Sequence, residues 1–312
     1  MSQKQIIPVF FAADENYMPF LAVALTSIKK YATPENEYKI HVLCTGIEED
    51  KTQPILDLQT QNITVEFVNI SDKAAQICSV MRCRDYYTSA IYFRLFIPDL
   101  FPQYDKAIYL DCDTVLLDDI AKLYEVDIGD NYIGAVADQA VAAVPQFREY
   151  TRNALDVDAE NYFNSGVIVL NLKQLRSIDF YKTFYGILSS YDFIVAPDQD
   201  CLNLICKDRV YFYGAEWNRM PIGGMDNQTP KLIHYNLVMK PWHYDNVLFE
   251  EYFWDYAKQT QYYEVILAEK AAFTPEMAQR DKEGGEKLIA LAKSEADSPE
   301  NYIRTMRKKQ SK

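Results

Sequence analysis

The chain has 312 residues, 49% of them hydrophobic, and a formal net charge of −13 from 45 acidic and 32 basic side chains. That is enough apolar material for one large domain or two small ones; with only 10 glycines and 13 prolines, collagen-like sequence and long disordered stretches are excluded. The acidic balance supplies no basic face for a nucleic-acid backbone, though a small phosphorylated ligand stays within reach wherever a divalent cation screens the repulsion.

Ile6–Ala12 reads as a buried strand, and Asp14 and Glu15 end its apolar run too early for a secretion signal. Met18–Tyr31 carries Phe20, Leu21, Ala24, Leu25 and Ile28 at helical spacing. Tyr38–Cys44 is expected as a second strand, Glu48–Gln59 as a helix and Thr64–Asn69 as a third strand. This alternation indicates a mostly parallel sheet covered on both faces. Thr88–Ile97 is expected to be helical, and Lys106–Leu110 to be a strand running into Asp111-Cys112-Asp113. Tyr132–Val136 and Gly166–Leu170 read as further strands. Asp179–Ser189 and Asp198–Cys206 read as helices, the second opened by an acidic first turn in which Asp200 serves the helix dipole.

A doubly wound α/β domain is therefore expected over residues 1–246. Residues 247–312 read as a helical, aromatic-rich C-terminal extension, broken at Gly284-Gly285 and ending in the basic residues Arg304, Arg307, Lys308, Lys309 and Lys312. Such a tail can hold a protein weakly to anionic lipid. No segment approaches the roughly 20 apolar residues of a membrane-spanning helix. The six cysteines, Cys44, Cys78, Cys83, Cys112, Cys201 and Cys206, form no C-x-x-C pair and sit among apolar neighbours. Buried, reduced thiols and a cytoplasmic location, peripheral at the inner face of the membrane through the tail, are the expectation.

In open α/β sheets ligands bind beyond the carboxyl ends of the strands. Two such ends are polar here, Phe11–Tyr17 and Tyr109–Thr114, and neither carries a glycine-rich phosphate loop, so hydride transfer and ATPase chemistry are poor fits. Asp111 and Asp113, two apart in an extended segment, point to one side and converge on one cation while Cys112 faces away. Such oxygen ligands suit Mg²⁺ or Mn²⁺. His234, after the apolar strand Lys231–Ile233, adds an imidazole that favours Mn²⁺. Lys240 can place an ammonium on a phosphate, and His41, inside "YKIHVL", belongs to the core. Taken singly, each has a plainer reading as a turn acid, a core histidine or a surface lysine.

Six segments in order, "FAADENY", "YFRLFIPDLFP", "YLDCDTVLL", "YFNSGVIVLNL", "PDQDCLN" and "IHYNLVMKPWH", resemble those of family 8 glycosyltransferases over about residues 6–245. The likeness is greatest to bacterial lipopolysaccharide galactosyl- and glucosyltransferases. It implies a GT-A nucleotide-diphospho-sugar transferase fold, a UDP-hexose donor, Mn²⁺ with Mg²⁺ left open, and a saccharide or lipid-linked saccharide acceptor. Transfer would retain the anomeric configuration, by a covalent or a same-face route. The resemblance carries metal ligation to Asp111, Asp113 and His234. It carries nucleotide contacts to Ala12, Ala13, Asp14, Asn16, Tyr17, Asp111 and the Cys112 backbone, and the diphosphate to Lys240. Arg94, Asn164, Ser165, Asp198 and Gln199 would surround the donor sugar, with Asp198 and Gln199 catalytic, and Asp138 and Pro221 would lie nearer the acceptor. Between histidine and lysine the family usually has a glycine approaching the diphosphate; here Leu237 stands in its place.

Two other functions fit parts of the pattern. A haloacid-dehalogenase-type phosphatase also uses an apolar strand followed by D-x-D-x-T, as Asp111–Thr114 is, but in the first strand and with a downstream acidic pair missing here. A non-catalytic UDP-sugar-binding protein would bind donor without turnover.

Overall fold

The computed structural model describes residues 4–78, 89–223 and 228–311; Thr88, Cys83, Lys312 and the side chain of Cys78 fall outside that description. Among the described residues there are nine strands: β1 (Gln5–Ala12), β2 (Asn36–Cys44), β3 (Ile63–Asn69), β4 (Ala107–Leu110), β5 (Thr114–Leu116), β6 (Ile133–Ala135), β7 (Val167–Leu170), β8 (Val210–Phe212) and β9 (Leu232–His234). Seven form one sheet in the order β3-β2-β1-β4-β7-β6-β8, and β5 and β9 form a separate ribbon. The pairs from β3 through β4 are parallel, as is β6 with β8, and only β7 runs antiparallel to its neighbours.

Alternation along β1 builds the two faces of the core. Ile7, Val9 and Phe11 pack with Leu21, Ala24, Leu25 and Ile28 of the Met18–Tyr31 helix. Phe10 points the other way, to Phe93, Phe101, Tyr109, Ile168 and Phe184. The helix takes Pro19 in its first turn and Lys29 and Lys30 in its last, the ends where each residue type is best tolerated. The sheet reverses its direction of growth between β1 and β4, so a crevice opens beyond their adjacent carboxyl ends. Ala12–Asp14 and Asp111–Asp113 meet there.

Three sequence expectations are corrected. Ser89–Phe96 is a 3-10 helix, followed by a short α-helix Ile97–Leu100. The tighter turn stacks side chains three apart, and the pairs Tyr92/Leu95 and Phe93/Phe96 are all buried. The helix Pro275–Asp297 runs straight through Gly284-Gly285. Two interior glycines cost about 1 kcal/mol each, but this helix packs along Pro145–Leu155 and buries Ala292 and Ala296, and tertiary packing outweighs propensity. Finally, His234 is the last residue of β9 rather than a residue beyond the strand.

The aromatic stretch after residue 246 docks on the core. Phe253 and Tyr256 of the Glu250–Ala257 helix cluster with Trp242, Tyr235 and Val23, and Trp242 stacks on Phe20 at 3.9 Å between centroids. The basic tail forms the helix Tyr302–Gln310, capped by Asn301, with Tyr302 edge-on to Tyr191. Cys44, Cys112, Cys201 and Cys206 are free and buried. No described helix is long and apolar enough to cross a membrane.

Candidate metal centre and adjoining cavity

Beyond β4 the chain turns at Cys112 and Asp113 instead of continuing extended. The Asp111 N–H donates to the Gly166 carbonyl at 2.7 Å. The Thr114 hydroxyl donates back to the Asp111 carbonyl at 2.9 Å, and this local bond competes with strand geometry. Cys112 faces the core, its sulfur 3.4 Å from the Ala12 carbonyl. The carboxylates therefore converge through a turn, and the β5–β9 ribbon brings the third group. Thr114 pairs with His234 across it, which places Nε2 3.1 Å from Asp113 Oδ1 and 3.8 Å from Asp111 Oδ2. One ligand atom from each of the three residues lies within 4.8 Å of the others.

The imidazole's tautomer follows from a chain of hydrogen bonds. The Gly166 N–H donates to Asn164 Oδ1 at 3.0 Å, which fixes that amide. Asn218 Nδ2 donates to the same oxygen at 2.9 Å, leaving Asn218 Oδ1 to face His234 Nδ1 at 3.1 Å. In the neutral ring Nδ1 therefore carries the proton, and the lone pair of Nε2 looks at Asp113 Oδ1, a buried oxygen without a hydrogen-bond partner. Two acceptors facing each other in a buried place call for a cation between them, and two carboxylates with one imidazole fit a divalent ion. Lys240 pairs with the other Asp113 oxygen. Burial pushes the Asp113 carboxyl up, but the Lys240 ammonium beside it overcomes this and holds the group well below the usual carboxylate range.

Two residues of this centre were missed at the level of sequence. Asn218, fully buried, lies 16 residues from His234 and reaches it only through the tertiary fold. Gly166, read as the start of a strand, leaves the space in which the centre sits. A Cβ there would fall 2.3 Å from His234 Cε1 and 2.5 Å from Asp111 Oδ2. Its signal in the sequence was a lone glycine at the mouth of an apolar strand. Gly166→Ala is accordingly expected to lower the affinity of these three groups for a divalent ion, with Mn²⁺ as the probe, by about 10- to 100-fold with the fold retained, the loss that disturbing the support of metal ligands brings. Calorimetric Mn²⁺ titration checks this, and wild-type affinity would contradict it.

Arg94, buried on the 3-10 helix, ties this centre to its neighbours. It donates to Asp111 Oδ1 at 3.0 Å and to the Ser165 carbonyl, lies 3.7 Å from Asp198 Oδ2, and sits 4.3 Å over the Tyr109 ring. Burial raises the Asp198 carboxyl against the pull of Arg94. Gln199 Oε1 accepts from the Ser165 N–H at 2.9 Å, and its Nε2 donates to Asp138 Oδ2 at 3.0 Å. That Asp138 oxygen also accepts from Asn164 Nδ2 at 3.1 Å, while Oδ1 caps the helix Gln139–Ala143.

Asp200 lies in the first turn of its helix, as expected, but not at the surface. It lies fully buried, because it shares the inward face of the Pro197–Cys206 helix with Asn203. It accepts from the hydroxyls of Tyr150 at 2.7 Å and Tyr162 at 2.6 Å and from the Ala196 N–H at 3.1 Å. Burial pushes its carboxyl up to about 7 despite these donors.

A cavity of about 210 Å³ joins Asp111, Asp113 and His234 to Arg94, Asp138, Asn164, Ser165, Asp198 and Gln199. The expected nucleotide residues Ala12, Ala13, Asp14, Asn16, Tyr17, Cys112 and Lys240 do not line it, nor does Pro221. They fall elsewhere, the first five on β1 and the turn after it, where Asp14 caps the 3-10 turn Glu15–Tyr17. Leu237 does line the cavity, 56% exposed, and its φ of +58° is the left-handed conformation a glycine would adopt there.

Residues 8–246 match the family described as glycosyl transferase family 8. The chain is 28% identical over 288 residues to a lipopolysaccharide 1,2-glucosyltransferase of Escherichia coli (strain K12), covering 86% of this chain and 79% of that protein. Among solved structures, the galactosyltransferase LgtC in complex with donor and acceptor sugar analogs matches with a TM-score of 0.67 at 27% identity, over 82% of this chain and 96% of that one. The WbbM bifunctional glycosyltransferase matches with a TM-score of 0.75 at 25% identity, and the 87% of this chain that aligns spans 53% of WbbM, about half its length. With its mostly parallel sheet and helical C-terminal part, the chain has the GT-A architecture and belongs to glycosyl transferase family 8.

Proposed function

We propose that this glycosyltransferase moves galactose or glucose from a UDP-sugar to a saccharide or lipid-linked saccharide, with retention at the anomeric carbon. Residues 1–246 would form the catalytic unit and 247–312 its extension. The observation that carries the proposal is the buried Asp113 oxygen facing His234 Nε2 at 3.1 Å, in one cavity with Asp198 and Gln199. A divalent ion held by Asp111, Asp113 and His234, Mn²⁺ by the imidazole's preference, would supply Lewis-acid help to the departing diphosphate.

The remaining work falls to the chain. Lys240, whose ammonium already lies against Asp113, would share the charge that develops on the phosphates. Ala12, Ala13, Asp14, Asn16, Tyr17 and the Cys112 backbone would hold the uridine and ribose. Arg94 keeps Asp111 and Asp198 in fixed relation, so the diphosphate and sugar halves share one cationic strut. Asp198 would support the positive charge of an oxocarbenium-like transition state. Gln199, with Oε1 pinned by the Ser165 N–H and Nε2 by Asp138, would present a fixed carbonyl oxygen beside it. Asp138 has both oxygens engaged inside the protein, so its service to the acceptor side would be to hold Gln199 and Asn164 in place.

The test is release of UDP from a panel of UDP-sugars with Mn²⁺, with and without chelator. UDP-galactose or UDP-glucose is expected to be turned over, and excess EDTA to abolish the reaction. Full activity in EDTA would refute the metal's role, and no release from any UDP-hexose would refute the donor.

A further inference from the structure

We infer that the C-terminal helix Pro275–Asp297 builds part of the acceptor subsite, and that Leu288 with Phe147 selects acceptors carrying an apolar group next to the accepting sugar. This rests on the glycosyl-transfer reading above and adds a specificity determinant to it.

The cavity that contains the carboxylates and amides is not polar throughout. Val141, Phe147, Val195 and Leu288 also line it. Three of these come from the segment of the chain matched by the family, but Leu288 lies beyond residue 246, where that match ends. Its helix is fixed in place. It packs along Pro145–Leu155, and the small residues Ala292 and Ala296, both fully buried, allow close approach. Phe147 and Leu288 then join Tyr150, Ala154 and Val195 in one apolar cluster. Hydrogen bonds pin the C-terminal segment at two further points: Tyr191 donates to Glu295, and Asn301 Nδ2 donates to the Asn153 carbonyl at 3.1 Å. The lining is a wall, not a lid.

The rest of the cavity indicates what this wall meets. The nucleotide residues of β1 do not line it, whereas the metal centre and the proposed sugar-side residues do. A donor hexose presents hydroxyls, and Arg94, Asn164, Ser165, Asp198 and Gln199 offer it charge and hydrogen bonds. Aliphatic and phenyl side chains offer none, and covering them with an apolar group returns about 25 cal/mol per Å². The group that reaches them therefore belongs to the other substrate, and it is alkyl or aryl in character rather than a second hydroxyl-covered ring.

The experiment compares octyl and methyl hexosides, galactoside and glucoside, as acceptors for the full chain with its accepted UDP-sugar. The octyl compounds are used below their micellar concentration. Wild type is expected to favour octyl over methyl by about tenfold or more in kcat/KM, mainly through KM, the gain from burying roughly two methylenes. Leu288→Asn is expected to bring that ratio to within twofold, Leu288→Met to preserve it, and UDP affinity by calorimetry to stay at the wild-type value in both. Equal use of octyl and methyl acceptors by wild type would overturn the inference, as would an undiminished octyl preference in Leu288→Asn. Loss of UDP affinity in Leu288→Asn would reassign the residue to folding or to the donor half and overturn it as well. Failure of wild type to release UDP from any UDP-hexose would instead remove the donor reading beneath it, and the inference with it.

Discussion

Asp113→Asn is expected to lower UDP-sugar turnover by about three orders of magnitude while the protein stays folded. Asp113 is the one residue of the centre that faces His234 through one oxygen and Lys240 through the other. The amide removes the charge that both the proposed ion and the ammonium answer. A thousandfold loss corresponds to about 4 kcal/mol of barrier, within the several kcal/mol that a divalent ion contributes to a developing negative charge. Folding should survive because Asn is isosteric, and the Lys240 side chain, 12% exposed, can carry its ammonium outward to water. Initial rates with saturating Mn²⁺, beside a thermal melt, check both halves of the expectation. A folded variant with more than a tenth of wild-type turnover would remove Asp113 from the centre.

Asp198→Ala and Gln199→Ala should each depress turnover by about 100-fold or more and leave the affinity for free UDP almost unchanged. Neither side chain touches the segments assigned to the nucleotide. Asp198 meets Arg94 and Ser165, and Gln199 meets Asn164, Ser165 and Asp138. Removing a group aimed at charge that appears only in the transition state costs rate without costing ground-state affinity. Asp111→Ala should do the opposite and weaken UDP–Mn²⁺ binding by at least tenfold, because in the proposed reading Asp111 would hold the ion that bridges to the diphosphate. Calorimetry of UDP with Mn²⁺ and turnover on the same three variants separate the two patterns. If the first two lose UDP binding as badly as the third, the division of the site into nucleotide and sugar halves is wrong.

Much of this site is legible in the sequence. The Met18–Tyr31 helix has its expected bounds, and the polar ends of β1 and β4 do lie side by side at the point where the sheet reverses. Asp111, Asp113 and His234 do come together, and Arg94, Asn164, Ser165, Asp198 and Gln199 do share a cavity with them. What escaped was whatever depends on partners distant in sequence. Period-two reasoning placed the two carboxylates on one side, yet the convergence comes from a turn closed by the Thr114 hydroxyl and from a ribbon formed with residues 232–234. Asp200 has the same composition signal as Asp198, and only the tyrosines at 150 and 162 distinguish them. Gly284-Gly285 reads as a break until the helix that spans it is seen packed against residues 145–155.

Leu237 has a wider consequence for how such chains are found. A pattern that demands a glycine between histidine and lysine would reject this sequence at that position, although the Leu237 backbone is left-handed, φ +58°, a conformation that glycine adopts readily. A β-carbon in that conformation costs roughly 1–2 kcal/mol, so the turn is imposed by what flanks it, β9 on one side and the Lys240–Asp113 pair on the other. A pattern that demands a glycine there will therefore miss any chain that, like this one, sets a side chain at the cavity's edge in that backbone conformation.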